Sequence, residues 1–302
     1  IPDPYTIILR LKKPSILFHQ DVATGTVSLA YIVSKKYYDS VGAEAAGRKP
    51  VGTGPFRFVK HVAGDTIEYE ALPNHWRQVP YFKTLLLKKV PETSTRMAML
   101  QAGAVDIIDL SLEAVKEVQK LGLKTISVPN TAFLMVALGG QYYSEAHKAN
   151  YDPKVPWAQP DAQRAFKVRQ ALNLAVDEKA IIDTILGGLA TPASVLGFHP
   201  GMPWTDPAWK PDGYDPKEAK RLLTEAGYPD GFEVTMQLVA WPGRAFAPDV
   251  GEAVATYWER NLGLKVKRVP VDRAIHITYR NNRTLAGLAF VYPMPVLGTE
   301  PW

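Results

Sequence analysis

The chain has 302 residues, of which 46% are hydrophobic and 22% charged, and its formal net charge is +5. This length accommodates two domains of about 100–200 residues each, and the composition argues against bulk disorder. Lysine and arginine are scattered in runs no longer than pairs such as Lys12-Lys13, which argues against a nucleic-acid-binding surface. Because the chain contains no cysteine, disulfides, thiolate metal sites and cysteine nucleophiles are excluded.

The beginning of the chain carries no targeting signal that the sequence makes visible. No apolar run approaches the roughly 18 residues of a membrane span, and no charged-then-apolar secretory leader opens the chain. The opening residues, Ile1-Pro2-Asp3-Pro4-Tyr5, are typical of a chain entered midway. We therefore expect a fragment, with any export signal outside it.

The first part of the chain reads as short strands and helices. Alternation predicts a strand over Tyr5–Leu11 and a hairpin whose strands hold Phe56 and Thr66–Ala71. The Gly-Thr-Gly-Pro stretch at 52–55 is a tight turn rather than a phosphate loop, because Pro55 removes an amide donor and no lysine follows the glycine. Further predicted elements are a strand at 85–90, a helix from Thr93 to Gly103, a strand at 105–109, a helix at 112–121, and strands at 123–128 and 129–140.

Three helices with clear end signals come next. The first carries apolar residues at helical spacing and the second begins at Asp177 and stops at Gly187-Gly188. The third has Asp215 at its N-cap, Pro216 at its first position and Gly227 after its end. The predicted buried positions are Val168, Ala171, Leu172, Ala175, Val176, Ile181, Ile182, Ile185, Leu186, Ala219, Leu222, Leu223 and Ala226.

The last part returns to alternating strands and helices. A strand is predicted over Phe232–Ala240, a helix from Pro248 to Gly263, and a strand through Leu264–Val269 that stops before Pro270. Strands that alternate with helices in this way predict an α/β fold.

Two long runs carry a resemblance to a known family. RQALNLAVDEKAIIDTILGGLATPA, beginning at Arg169, and YDPKEAKRLLTEAGYPDGF, beginning at Tyr214, resemble the extracytoplasmic solute-binding proteins of ABC importers, of the peptide- and nickel-binding type known as family 5. YTIILRLKKPSILFHQDVAT, PVGTGPFRF and VPETSTRMAMLQAGAVDIID are similar to the family's first lobe. The resemblance implies a two-lobed, hinge-linked α/β fold of the type II periplasmic-binding-protein class (peptide-binding cluster), incomplete here at both ends.

The resemblance also implies a domain division. Residues 1–128 would form part of lobe one and residues 129–302 lobe two, with a crossover strand at about 129–140. Where the family often has an asparagine at the end of this strand, Gly139-Gly140 stands here. This departure puts a polar contact from that point in doubt.

Enzymatic chemistry has little support in the sequence. The six histidines are dispersed without a metal-binding pair, and each is expected to be a surface or turn residue. No Gly-x-Ser-x-Gly elbow occurs, and Asp106 and Asp109 are expected to be solvated carboxylates. We therefore predict no enzyme, no catalytic residue, no metal site and no cofactor.

A ligand site is the better expectation. Trp241, which follows a buried strand, offers an aromatic face for stacking, and the planar guanidinium of Arg244 can bind a carboxylate or phosphate. Both could also be ordinary surface residues. By resemblance, Phe290 and Tyr292 lie where the family's peptide binders contact ligand, and Tyr142 could contribute after the crossover. The acidic residue that peptide-binding relatives carry near Tyr292 is absent, so neutral, glycosidic, amidated and metal-chelate ligands stay open.

Two functions follow as hypotheses. The first is a monomeric, periplasmic or lipid-anchored solute-binding protein that captures a peptide or similar small solute and delivers it to an ABC permease, without nucleic-acid partners. The alternative is a ligand-sensing or scaffold module of the same fold that binds a receptor protein.

Overall fold

The computed structural model describes residues 3, 6–14, 18, 31–112, 114–127, 132–140, 150–195 and 205–295. These residues divide into two compact units, one formed by described residues up to Asp109 and the other by described residues from Leu110 onward. This division does not test the predicted boundary between lobes at 128/129, which stays a prediction.

The first unit contains a three-stranded antiparallel sheet and two helices. Its elements are α1 (Lys35–Arg48), β1 (Phe56–Val62), β2 (Thr66–Ala71), β3 (Thr84–Lys88) and α2 (Thr93–Gln101). The strands lie in the order β1-β2-β3, and Gly64 makes the turn of the first hairpin with a positive φ of 78°. The predicted hairpin, third strand and helix are confirmed, whereas α1 had not been predicted.

Three expectations for this unit are wrong. Of the strand predicted over Tyr5–Leu11, Tyr5 lies outside the described residues, Thr6 makes one isolated bridge to Asp3, and residues 7–11 are not a strand. Residues 105–109 are not a strand either. Apolar alternation makes a strand only where a neighbouring strand supplies hydrogen-bond partners, and neither 7–11 nor 105–109 pairs within the described residues. Ile107 is accordingly 87% exposed. Thr93 does not cap α2, since Glu92 occupies the N-cap position and the Thr93 hydroxyl instead accepts a hydrogen bond from Arg96 at 2.9 Å.

The second unit contains a four-stranded mixed sheet with helices. Its elements are α3 (Val115–Lys120), β4 (Ala132–Leu138), α4 (Ala162–Leu174), α5 (Glu178–Thr184), α6 (Pro216–Glu225), β5 (Glu233–Ala240), α7 (Ala247–Leu262), β6 (Lys265–Asp272), α8 (Arg273–Asn281) and β7 (Leu288–Pro295). The strand order is β4-β7-β5-β6, with β5 parallel to β6 and β7 and with β4 antiparallel to β7.

Side-chain caps explain where the predicted helices begin. The carboxylate of Asp177 accepts from the Ala180 amide, and that of Asp215 accepts from the amides of Lys217 and Glu218. Asp161 caps α4 in the same way, which the sequence analysis had not assigned. The predicted glycine stop of α6 is confirmed, because Gly227 has a positive φ of 91° that suits glycine.

We expect Asp215→Ala to lower the free energy of unfolding of the second unit by about 1 kcal/mol, because two amides of the first turn of α6 lose their acceptor. Asp215→Asn is the matched control, since an asparagine oxygen also caps. Urea unfolding followed by circular dichroism measures both variants. Equal losses for alanine and asparagine would contradict the capping role.

Helix α7 joins the helices of the second unit. Its Trp258 is buried, and the indole N–H donates to the Leu172 carbonyl at the end of α4, at 2.9 Å. Asn261 donates to the Ala175 carbonyl at 2.7 Å, so two terminal carbonyls of α4 are satisfied by one neighbouring helix. Most of the predicted apolar stripe of α4–α6 is buried in the same core, with Ile182 and Ile185 partly buried beside it.

Three expectations for this unit need correction. The helix predicted over 112–121 is shortened to α3, and residues 123–127 are not a strand, while residue 128 lies outside the described residues. Strand β6 continues through Pro270 to Asp272. Proline has no backbone N–H to donate to a neighbouring strand, and it is tolerated here because β6 lies at the edge of the sheet. In the described part of the chain β6 pairs only with β5, and it exposes Lys265, Lys267 and Pro270. Helix α8 had not been predicted.

Candidate functional site

Four ring-bearing residues meet on one face of the second sheet. We call Trp241, His276, Phe290 and Tyr292 the aromatic cluster. Trp241 follows β5, Phe290 and Tyr292 alternate along β7, and His276 comes from α8. Helix α7 packs on the opposite face, where Gly251 lies against Leu238 and Val291. The cluster is therefore built by three segments that are distant in sequence.

The rings of the cluster pack edge to face. Ring centroids are 5.2 Å apart for Trp241 and Tyr292, 5.4 Å for Trp241 and His276, and 4.4 Å for His276 and Phe290. This geometry is favourable for aromatic pairs. The indole N–H of Trp241 also donates to the Val291 carbonyl at 3.0 Å, which fixes the ring against β7.

Arg244 is held next to Trp241 by a tight turn. Its amide donates to the Trp241 carbonyl at 3.0 Å, and Gly243 within the turn has a positive φ of 68°. Arg244 is half-buried as a residue, and within the described residues its guanidinium donates only to the neighbouring Gly243 carbonyl, at 3.2 Å. In the same part of the chain, no carboxylate forms an ion pair with it.

His276 is the residue that the sequence analysis missed. Its side chain is 0% exposed, which contradicts the expectation of a surface or turn histidine. Nδ1 lies 2.9 Å from Oε1 of the buried Gln237, and burial together with the charge of Arg280 lowers the pKa of the imidazole. Helical spacing could not reveal this burial, because the positions three and four residues before and after His276, which are 272, 273, 279 and 280, are all exposed. His75, in contrast, is a turn residue, as expected.

The structure brings three of the five candidate residues into direct contact. Trp241, Phe290 and Tyr292 pack together, and Arg244 adjoins Trp241 through the turn. Phe290 is buried within the cluster, so it supports the half-buried rings of Trp241 and Tyr292 rather than presenting its own face. Tyr142 lies outside the described residues.

The described residues include neither a cluster of metal ligands nor a helix that could span a membrane. Within the described ranges, no group of three or more histidine, aspartate or glutamate side chains is placed to hold a metal ion. None of the described helices combines the length and apolarity that crossing a membrane requires.

The comparison with protein families gives a match over residues 1–293, to bacterial extracellular solute-binding proteins, family 5 Middle. The chain belongs to this family. The resemblance inferred from the runs at Arg169 and Tyr214 is therefore confirmed.

Two curated relatives show how this family 5 chain relates to complete proteins. Heme-binding protein A of Haemophilus influenzae is 32% identical over 286 residues, which cover 90% of this chain and 47% of that protein. The glutathione-binding protein GsiB of Pectobacterium atrosepticum is 31% identical over 237 residues, covering 78% of this chain and 41% of that protein. The chain thus spans less than half the length of these two relatives.

A solved structure supports the fold. The ABC transporter-associated periplasmic binding protein DppA from Helicobacter pylori, in complex with peptide STSA, matches with a TM-score of 0.60 at 21% identity. The match covers 88% of this family 5 chain and 49% of that one. The predicted α/β fold of the periplasmic binding proteins is confirmed.

Proposed function

We propose that this chain is part of the extracytoplasmic solute-binding component of an ABC importer. The observation that carries the proposal is the family match over residues 1–293. The whole protein captures a peptide or similar small solute and delivers it to a membrane permease. It acts as a monomer, periplasmic or lipid-anchored, without enzymatic chemistry or nucleic-acid partners.

The mechanism requires only differential binding. One lobe would contain residues 1–128 together with further chain, and the other would contain residues 129–302. If a hinge joins the two lobes, a ligand that contacts both of them stabilises the closed form. The permease then recognises a form whose population depends on the solute. No covalent step is needed.

The aromatic cluster and Arg244 are the proposed contribution of this chain to the ligand site. Small-ligand sites combine apolar surface with a few placed polar groups, and the half-buried rings of Trp241 and Tyr292 supply apolar and stacking surface. Arg244, whose charge no carboxylate of the described residues neutralises, can donate two parallel hydrogen bonds to a ligand carboxylate.

The charges near the cluster favour an anionic or neutral ligand group there. Residues 290–295 contain no aspartate or glutamate, so a ligand ammonium at this point would find no carboxylate. An ammonium buried without a partner is strongly disfavoured. A carboxylate-bearing solute is therefore preferred to one that presents a free amino terminus to β7.

The proposal is tested by thermal unfolding of the complete gene product with di- to pentapeptides, glutathione, heme, opines, oligosaccharides and nickel chelates. A true ligand raises the unfolding midpoint progressively with its concentration, since ligand at 100 times its Kd stabilises the folded state by about 2.7 kcal/mol. A flat response to every compound would overturn the proposal.

Arg244→Ala is expected to weaken binding of a carboxylate-bearing ligand about 10- to 100-fold, because a charge-assisted hydrogen-bond pair is lost. Isothermal titration calorimetry measures the change. Arg273→Ala removes an exposed arginine of the same unit, and this variant should bind like the unmodified protein. If the Arg244 and Arg273 variants bind the ligand with equal affinity, Arg244 is not part of the ligand site.

A further inference from the structure

His276 connects the elements that build the aromatic cluster. It lies on α8, bonds to Gln237 on β5, and contacts Trp241 after β5 and Phe290 on β7. Because one ionisable ring contacts both strands and the loop, a change in its charge acts on each of these neighbours.

The hydrogen bonds of His276 favour one neutral tautomer. With the Gln237 carbonyl oxygen 2.9 Å from Nδ1, that nitrogen carries the proton and donates. Nε2 is then an acceptor, and it is buried without a hydrogen-bond partner among the described residues. Protonating Nε2 would create a buried N–H without an acceptor from this part of the chain, and would place a cation among apolar rings.

The charges around His276 disfavour its protonated form. Arg280 lies one turn further along α8, donates to the Tyr292 hydroxyl at 3.4 Å, and adds to burial in lowering the pKa of His276. The contacting side chains Gln237, Trp241 and Phe290 are uncharged, and Tyr292 presents a phenol. Asp272, at the start of α8, directs its carboxylate to the Ala274 amide at 2.7 Å and caps the helix.

We propose that His276 is a positioning residue whose neutral imidazole, held by Gln237, fixes Trp241 and Phe290 and thereby the exposed face of the candidate ligand site. Protonation of the imidazole releases that face. The effect on ligand binding rests on the proposed function, whereas the effect on ring position does not.

The direction of the pH effect follows from the lowered pKa. An unperturbed histidine has a pKa of about 6.5, and the pKa of His276 in the folded state is lower. Between these two pKa values His276 is neutral in the folded protein and protonated in the unfolded chain, so the unfolded chain binds more protons in this pH range. Stability that is full above pH 6.5 is lost as the pH falls from 6.5 to the folded-state pKa. The cluster is therefore intact at neutral pH and loosens in acid.

The first test needs no ligand. The complete gene product is labelled with 15N-tryptophan, and the indole resonance of Trp241, assigned by its loss in Trp241→Phe, is followed from pH 8 to pH 4. We expect a shift with an inflection below pH 6.5, because the indole N–H bond to Val291 changes when His276 is protonated. A resonance without such an inflection overturns the proposal.

Three variants assign the inflection. His276→Asn keeps a neutral donor toward Gln237 and should abolish the inflection while leaving the Trp241 resonance near its neutral-pH position. His276→Phe leaves the Gln237 oxygen without that donor and should displace the resonance at every pH. His61→Asn, at an exposed histidine on β1, should leave the inflection unchanged. An inflection that persists in His276→Asn contradicts the assignment.

A last measurement connects ring position with binding. A compound identified by the thermal screen should bind about tenfold more weakly one pH unit below the inflection measured for Trp241 than at pH 7.5, and His276→Asn should remove most of that difference. If no compound binds, the proposed function fails and the resonance experiment still decides the positioning role. If a compound binds equally at both pH values, the connection to the ligand site is wrong.

Discussion

Trp258→Ala is expected to lower the free energy of unfolding of the second compact unit by about 3–5 kcal/mol. Trp258 is 1% exposed, so truncation leaves a large cavity among α4, α7 and the sheet. It also leaves the Leu172 carbonyl without the indole donor at the end of α4. Urea unfolding, followed by circular dichroism, gives the change as a shift of the transition midpoint at constant slope.

One further variant separates the effect of the cavity from that of the lost hydrogen bond, and a second variant is a surface control. Trp258→Phe retains most of the apolar volume and loses the indole N–H, so we expect a smaller loss of about 1–3 kcal/mol. Trp76→Ala removes an indole that is 78% exposed in the first unit and should cost less than about 1 kcal/mol. If Trp258→Ala costs no more than Trp76→Ala, helix α7 does not join the helices of the second unit as described.

Gly139→Ala is expected to destabilise the second unit by about 3 kcal/mol, because the strand end has no room for a side chain. A Cβ at this position would lie 2.1 Å from the Leu285 carbonyl oxygen, so the backbone would have to move. The amide and carbonyl of Gly139 are both engaged, by the Leu288 carbonyl at 2.8 Å and the Trp157 indole at 2.9 Å, and moving them weakens both bonds.

The control for Gly139→Ala is a glycine in open space. A Cβ at Gly287 would meet no described atom within 4 Å, and φ there is 73°, so Gly287→Ala should cost only about 1 kcal/mol of left-handed strain. Comparable losses at positions 139 and 287 would mean that the strand end adjusts easily. At position 139, in contrast, a side chain would have no space beside Leu285.

The sequence predicts best the elements whose ends carry chemical signals. Asp177 and Asp215 mark helix starts because their carboxylates accept first-turn amides, and those bonds are local. The strand predicted over 105–109, and the described residues 123–127 of the strand predicted over 123–128, are not strands because a strand depends on a partner, which an apolar run does not specify. Helix α8 was not predicted because its one fully buried side chain is a histidine. A prediction from the spacing of apolar residues does not count histidine as a buried position.

The candidate site could be predicted only in part. Trp241 and Arg244 follow a clear strand, and Phe290 and Tyr292 came from the family resemblance, so four of its members were named from the sequence. His276 and Gln237 were not, because their contact joins positions 39 residues apart and depends on the packing of α8 on the sheet. Polar pairs of this kind leave no local pattern.

The outer edge of β6 bears on how copies of this protein behave in concentrated solution. An unpaired strand edge is a template on which a neighbouring molecule can add its own strand, the first step toward ordered aggregates. Here the exposed lysines at 265 and 267 would have to lose water and approach like charges, and Pro270 removes one donor from the strand. A strand that has a neighbour on only one side among the described residues is thus kept from polymerising along its other edge at high protein concentration.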